Sequence, residues 1–164
     1  MQVLDHYQIN QKIARLSYEI LENNLDESVI ILSGINNNGY RFAELLYRYL
    51  CSICDKTFIL SRIRLNPAKP LDGIIECDLT SDSINNKSIV IVDDVANTGR
   101  TIFYACKVFM DALPKKIEVA VLVDRKHKLF PIKVDYVGLS FATTLQENIK
   151  ADLINIDEMS VTLN

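Results

Sequence analysis

This 164-residue chain has no tryptophan, two histidines, four prolines and five glycines, too little glycine and proline for a collagen-like repeat or a low-complexity linker. Its longest apolar runs, such as Ser28-Val-Ile-Ile-Leu32 and Ile89-Val-Ile-Val92, fall far short of the roughly 20 residues a membrane helix needs. No membrane partner is expected. The opening MQVLDHYQINQK carries an acid early and has neither a basic start nor a continuous apolar stretch, so a cytoplasmic protein is expected. Neither G-x-x-x-x-G-K-[ST] nor G-x-G-x-x-G occurs, which removes the P-loop and dinucleotide fingerprints. There is no excess of positive charge: 18 Lys and Arg against 21 Asp and Glu give a net charge of −3, a poor general attractant for nucleic acid. RNA remains a partner only through local patches, of which Arg125-Lys-His-Lys128 and Lys115-Lys116 are the densest. The four cysteines, Cys51, Cys54, Cys77 and Cys106, lack a second C-x-x-C pair or suitably spaced histidines, so reduced, buried or half-buried structural thiols are expected rather than a zinc site.

What is present is an average globular composition, 49% hydrophobic and 24% charged, in a chain long enough to bury one core. A single domain over residues 1–164 is expected. Residues 5 to about 24 place Ile9, Ile13, Leu16 and Ile20 at helical spacing. Val29 to Leu32 reads as a buried strand ended by Ser33-Gly34, followed by a polar turn, Ile35-Asn-Asn-Asn-Gly39, and a helix from 40 to about 51. Residues 57–65 read as a strand, 71–79 as a second, partly exposed strand, and 88 onward as a greasy strand running into Asp93-Asp94. Gly99 to Leu113 reads as a helix stopped by Pro114, with strands at 117–123 and 135–141 and a tail that adds a short segment. Alternating β and α elements with β-branched strands predict an α/β fold, a mostly parallel sheet flanked by helices.

Such sheets collect ligands beyond the carboxyl ends of their strands, the edge where Asp93 and Asp94 fall. The following Ala96-Asn-Thr-Gly-Arg-Thr101 opens a helix, whose unpaired amides and the hydroxyls of Thr98 and Thr101 suit a phosphate. Gly99 lets the backbone come close. Carboxylates repel phosphate, so the acids must serve another part of the ligand: vicinal hydroxyls, with a magnesium ion held nearby. A phosphorylated sugar meets both demands.

The run Ile89-Val-Ile-Val-Asp-Asp-Val-Ala-Asn-Thr-Gly-Arg-Thr101 resembles the phosphoribosyl pyrophosphate (PRPP) motif of type I phosphoribosyltransferases. Val3-Leu-Asp5 with the first helix, Ile31-Leu-Ser-Gly-Ile35, and Ala120-Val-Leu-Val-Asp-Arg125 through Pro131-Ile-Lys-Val-Asp-Tyr-Val-Gly138 resemble the PyrR family, over roughly residues 3 to 145 and least between 57 and 87. That family combines pyrimidine-operon attenuation with uracil phosphoribosyltransferase activity. The resemblance implies a Rossmann-like sheet with a small hood, from about 57–87 and the terminal segments. It implies a reaction of PRPP, with magnesium, and a nucleobase, uracil by preference, in a homodimer or larger homo-oligomer. It puts Asp93 and Asp94 at the ribose hydroxyls as catalytic groups and as the possible protein ligands of the metal. Val95, Ala96, Asn97, Thr98, Gly99, Arg100 and Thr101 fall around the 5′-phosphate and nucleotide. Ile35, Asn36, Asn37, Asn38 and Gly39 fall at the pyrophosphate loop, and Asp124, Arg125, Tyr136 and Val137 at the base, with Tyr136 as a stacking ring.

The chain departs from that pattern in several places, among them Ala96-Asn97 for the family's Leu-Tyr and Lys126 for its Gly after Arg125. Asn36, Asn37 and Asn38 stand where the regulators carry Lys-Thr-Arg, and neutral donors hold a polyanion more weakly than charged ones. Arg64-Leu-Asn-Pro-Ala-Lys-Pro70 stands where relatives have a longer loop with Tyr-Arg-Asp-Asp. Asn97 stands where purine-specific members place an aspartate, and an amide cannot take a proton, which argues against a purine. Two readings follow: an enzyme making UMP and pyrophosphate, or a pyrimidine-nucleotide sensor that binds RNA with weak or no catalysis.

Overall fold

The computed structural model describes residues 1–142 and 147–164. The chain runs β1 (Gln2–Leu4), α1 (His6–Glu22), β2 (Val29–Ile35), α2 (Asn36–Ile53), β3 (Thr57–Arg64), β4 (Glu76–Cys77), α3 (Ser81–Ile84), β5 (Ser88–Ala96), α4 (Arg100–Ala105), β6 (Lys116–Arg125), β7 (Tyr136–Phe141), β8 (Ile149–Asp152) and β9 (Ser160–Leu163). A six-stranded sheet in the order β4-β3-β2-β5-β6-β7 is parallel throughout except for β4. Along its strands alternate residues point to opposite faces. Ile30, Leu32, Val90, Val92, Ala120 and Leu122 pack with Ile9, Ile13, Leu16, Phe42 and Leu46 of α1 and α2. Ile31, Ile89, Ile91, Val119 and Val121 pack on the other face with Ile84, Ile102, Ala105 and Phe109. Cover on both faces is why these strands read as unbroken apolar runs.

Helix α1 begins where predicted because Asp5 and Gln8 satisfy each other's amides: Gln8 N–H donates to Asp5 Oδ1 at 2.8 Å and Asp5 N–H to Gln8 Oε1 at 3.0 Å. The Asn-Asn-Asn-Gly stretch, expected as a turn, forms the first turn of α2, entered through a left-handed Asn36 with φ of 53°. Turn-forming residue types mark the bend correctly. The packing of Gly39 and Phe42 against the sheet, however, carries the helix through them. The second strand expected at 71–79 shrinks to Glu76–Cys77, and the helix expected from Gly99 to Leu113 stops being α-helical after Ala105, tightening to a 3₁₀ turn over Cys106–Phe109. That turn ends with Phe109 fully inside the core.

The two ends of the chain form a separate antiparallel sheet, β1-β9-β8. Its Leu4, Ala151, Leu153, Met159 and Val161 belong to the same core as α1 and α2, and Arg41 of α2 donates through Nε to the Leu153 carbonyl at 3.0 Å. None of the four cysteines is paired; Cys51 is exposed at the end of α2, contrary to the expectation of burial, and the other three are half-buried. Among the described residues no helix is long and apolar enough to cross a membrane.

Candidate functional site

Strand β5 lies between β2 and β6, and its Ile89, Val90, Ile91 and Val92 are wholly buried. At the carboxyl edge the chain turns polar. Asp93 is still buried, 8% exposed, whereas Asp94 is half-buried and faces the cleft. The Asp94 N–H donates to Asp93 Oδ1 at 3.0 Å, and Asn38 Nδ2 donates to Asp94 Oδ2 at 3.3 Å. The asparagine turn therefore touches the acidic pair directly. Close approach depends on Gly39, where a Cβ would sit 2.7 Å from the Val92 carbonyl oxygen and 3.0 Å from Asp93 Oδ1.

Burial pushes the Asp93 carboxyl well above the ordinary carboxylate range, and the neighbouring Asp94 pushes it further, while the backbone hydrogen bond opposes both. A carboxyl raised in the folded state binds more protons folded than unfolded, so its contribution to stability is lost as pH rises from about 4 through the raised value. Asp93→Asn keeps the acceptor for the Asp94 N–H and removes the buried charge. The variant is expected to melt higher than the parent at pH 7.5, by about 2–4 °C for each kcal/mol relieved, and to lose that advantage near pH 4. Thermal denaturation of both proteins across this range measures it; equal midpoints at pH 7.5 would count against the buried charge.

From Ala96 the chain turns through Asn97 and Thr98 into α4. Gly99 has a φ of 86°, and a Cβ there would meet Ile132 Cβ at 3.3 Å. The Thr98 carbonyl accepts the N–H groups of Leu129 at 2.9 Å and Phe130 at 3.2 Å, which ties this turn to the β6–β7 connection. Phe103 makes the first helical hydrogen bond, to Gly99, so the amides of Thr101 and Ile102 have no intrahelical acceptor. They border a small concavity of about 40 Å³ that runs from Asp93 to Ile102. Arg100 turns away, its Nη2 donating to the Pro67 carbonyl at 2.7 Å, and Arg125 Nη1 donates to Asn97 Oδ1 at 3.3 Å.

A larger cleft of about 500 Å³ joins these parts, lined by Ile35, the three asparagines, Pro67, Asp93, Asp94, Val95, Asn97 and Thr101. Its remaining wall is Ile149, Lys150 and Ala151 of β8, which the reading of the sequence passed over. The alternation Ile149, Ala151, Leu153 with polar residues between was a signal for a half-buried strand there. Two residues expected at the base are elsewhere. Tyr136 opens β7 opposite Ala120, which itself stands opposite Val92, so by register Tyr136 is one step before Asp93 but two strands away across the sheet. Its ring is 1% exposed, and its hydroxyl donates to Glu118 Oε2 at 2.8 Å. Burial and that carboxylate hold the phenol protonated far above its usual range. It is a core residue and cannot stack on a ligand at the site. Val137 gives its carbonyl to Arg15 Nη2 at 2.9 Å and does not line the cleft. Asp124 and Arg125 do end their strand beside the site: Asp124 stands opposite Ala96 and is ion-paired with Lys128 at 2.5 Å.

Among the described residues no three Asp, Glu, His or Cys side chains gather as a metal cage. The donor set does suit magnesium, which keeps most of its ligands as water and substrate phosphate and needs one or two carboxylates from protein.

In comparison with known proteins, the family described as "Phosphoribosyl transferase domain" matches residues 1–151. The chain is 32% identical over 168 residues to the bifunctional protein PyrR of Haemophilus ducreyi, covering 96% of this chain and 92% of that protein. It is 33% identical over 174 residues to the bifunctional protein PyrR of Listeria monocytogenes, covering 99% and 95%. Of solved structures, a hypoxanthine-guanine phosphoribosyltransferase of Bacillus anthracis superposes with a TM-score of 0.72 at 19% identity, over 86% of this chain and 82% of that one. The hypoxanthine phosphoribosyltransferase of Trypanosoma cruzi in complex with IMP gives 0.72 at 19%, over 88% and 81%. At that identity the likeness is one of fold.

Proposed function

The chain belongs to the phosphoribosyltransferase family, with relatives among the PyrR proteins, and from that premise we propose that it transfers the phosphoribosyl group of PRPP to uracil, giving UMP and pyrophosphate in the cytoplasm. The observation that carries this reading is the joining, in one cleft, of Asp93 and Asp94 with Asn97 and Thr101. A base nitrogen forms a bond to C1 of the ribose as the bond from C1 to the pyrophosphate oxygen breaks, the electron pair leaving with pyrophosphate and the base nitrogen's proton passing to solvent. Thr98, Thr101 and the free amides of α4 hold the 5′-phosphate. Asp94 accepts from the ribose hydroxyls and faces the positive charge that develops on the ring, while buried Asp93 fixes the backbone of Asp94. Asp94 would be the protein ligand of a magnesium ion, which would neutralise charge on the leaving pyrophosphate.

Asn97 lacks a titratable group, which supports a pyrimidine over a purine. We place the base against Ile149, Lys150 and Ala151, with Asp124 and Arg125 at its margin, in place of Tyr136 and Val137. The small sheet then serves as the hood of a single unit, and the active species is a homodimer.

Thermal denaturation with PRPP, UMP, IMP and GMP, each with magnesium, tests the site, because a ligand bound only by the native state raises the midpoint. UMP at about 100 times its Kd is expected to add about 2.7 kcal/mol, roughly 5–10 °C in a chain of this size. Release of pyrophosphate from PRPP with uracil, hypoxanthine or guanine then tests turnover. A larger shift from IMP or GMP, with turnover of their bases, would replace uracil by a purine. The relatives are named bifunctional, which supports a second reading, a nucleotide sensor that binds RNA. Binding of UMP without turnover of any base, together with salt-sensitive RNA binding, would favour it.

A further inference from the structure

On the foregoing reading of the cleft, the pyrophosphate of PRPP lies at a turn that holds no cation, Ile35-Asn-Asn-Asn-Gly39. We infer that Arg64, at the end of the neighbouring strand β3, supplies the positive charge that binds pyrophosphate there. The turn and the end of β3 are held together by the left-handed Asn36, whose Oδ1 accepts the Leu65 N–H at 3.0 Å. Beside that hydrogen bond a groove of about 460 Å³ is lined by Asn36, Asn37, Pro67 and Arg64. Asn36, Asn37 and Pro67 also line the main cleft, so the groove opens from it.

The two arginines of β3 are differently employed. The Arg62 guanidinium lies 3.8 Å from the centroid of the Tyr40 ring, a stacked position that occupies its charge. Arg64 is exposed and makes no side-chain hydrogen bond or ion pair among the described residues, although Glu76 stands opposite it on β4. Asn66 keeps the following loop compact, its Oδ1 accepting the N–H groups of Ala68 at 3.0 Å and Lys69 at 3.2 Å, so Arg64 is not covered. A planar guanidinium with five donors suits a pyrophosphate better than an amide does, and it supplies the charge the asparagines lack. Lys150 is a cation lining the main cleft, where Arg64 is not, but it does not line the groove beside the asparagines.

Isothermal titration of magnesium pyrophosphate and of UMP into the parent, Arg64→Gln, Arg64→Lys and Lys150→Gln tests the assignment. Arg64→Gln is expected to weaken pyrophosphate about tenfold or more and to raise the KM for PRPP similarly, with UMP affinity unchanged. Arg64→Lys should recover part of the loss. Adding Asn37→Lys to Arg64→Gln should restore pyrophosphate binding, a rescue that a merely structural role would not show. Unchanged pyrophosphate affinity in Arg64→Gln, or a loss confined to Lys150→Gln, overturns the inference. If the parent binds neither PRPP nor UMP, the reading of the cleft fails first, so the two failures are distinguishable.

Discussion

Asp94→Asn is expected to lower kcat/KM for PRPP and uracil by about two to three orders of magnitude while the protein melts within about 2 °C of the parent. Asp94 is half-buried and faces the cleft, and its partner Asn38 donates to a carboxylate oxygen that an amide oxygen can replace. The fold therefore has little to lose. An amide can still accept a hydrogen bond from a ribose hydroxyl, but it offers no negative charge to a sugar ring that becomes positive as pyrophosphate departs, so the loss falls mainly on the transition state. Initial rates of pyrophosphate release, with a melting curve on the same sample, separate the two effects. A rate within about threefold of the parent would remove Asp94 from catalysis.

Gly34→Ala should do the converse and strike the fold. A Cβ on Gly34 would lie 2.3 Å from Tyr40 Cα, 2.6 Å from Tyr40 N and 2.7 Å from the Gly39 carbonyl oxygen. All three are backbone atoms of α2, so no side chain can rotate away. Nor can β2 yield, because Gly34 is paired with Arg62 on one side and Val92 on the other. The cost of such overpacking is about 3 kcal/mol or more, a drop of about 6–12 °C in Tm or failure to fold. Denaturation by heat and by urea measures it; a midpoint within about 2 °C would show that strand and helix can part cheaply.

The main sheet was legible in the sequence because its strands are covered on both faces and read as β-branched runs, as at Ile89-Val-Ile-Val92. The turn into α4 was legible for a different reason: Gly99 has a left-handed backbone, and Thr98 and Thr101 put hydroxyls on either side of it. Tyr136 and Val137 were misplaced because the sequence does not show which way the side chains of a strand face. Burial of the Tyr136 ring and its hydrogen bond to Glu118 take it out of the cleft, although its register is only one step from that of Asp93. The β8 wall was missed because its alternation of Ile149, Ala151 and Leu153 is short, and because β1, which completes the small sheet, lies at the other end of the chain. The asparagine turn was placed correctly and given the wrong conformation, since local preference for a turn lost to the packing of Gly39 and Phe42.

The hydrogen bond from Arg100 to the Pro67 carbonyl has a dynamic meaning. The floor of the cleft and the small sheet share one apolar core, so neither can shift without disturbing the other. Residues 66–74 are exposed apart from half-buried Pro70, and among the described residues Arg100 is what hydrogen-bonds them to the turn before α4. Local opening free energy is lowest where few apolar groups are buried, so on the proposed function this segment is expected to open first for PRPP and pyrophosphate. The residue that holds it, Arg100, opens α4 directly after the turn proposed for the 5′-phosphate, so binding there is expected to change the tempo of release.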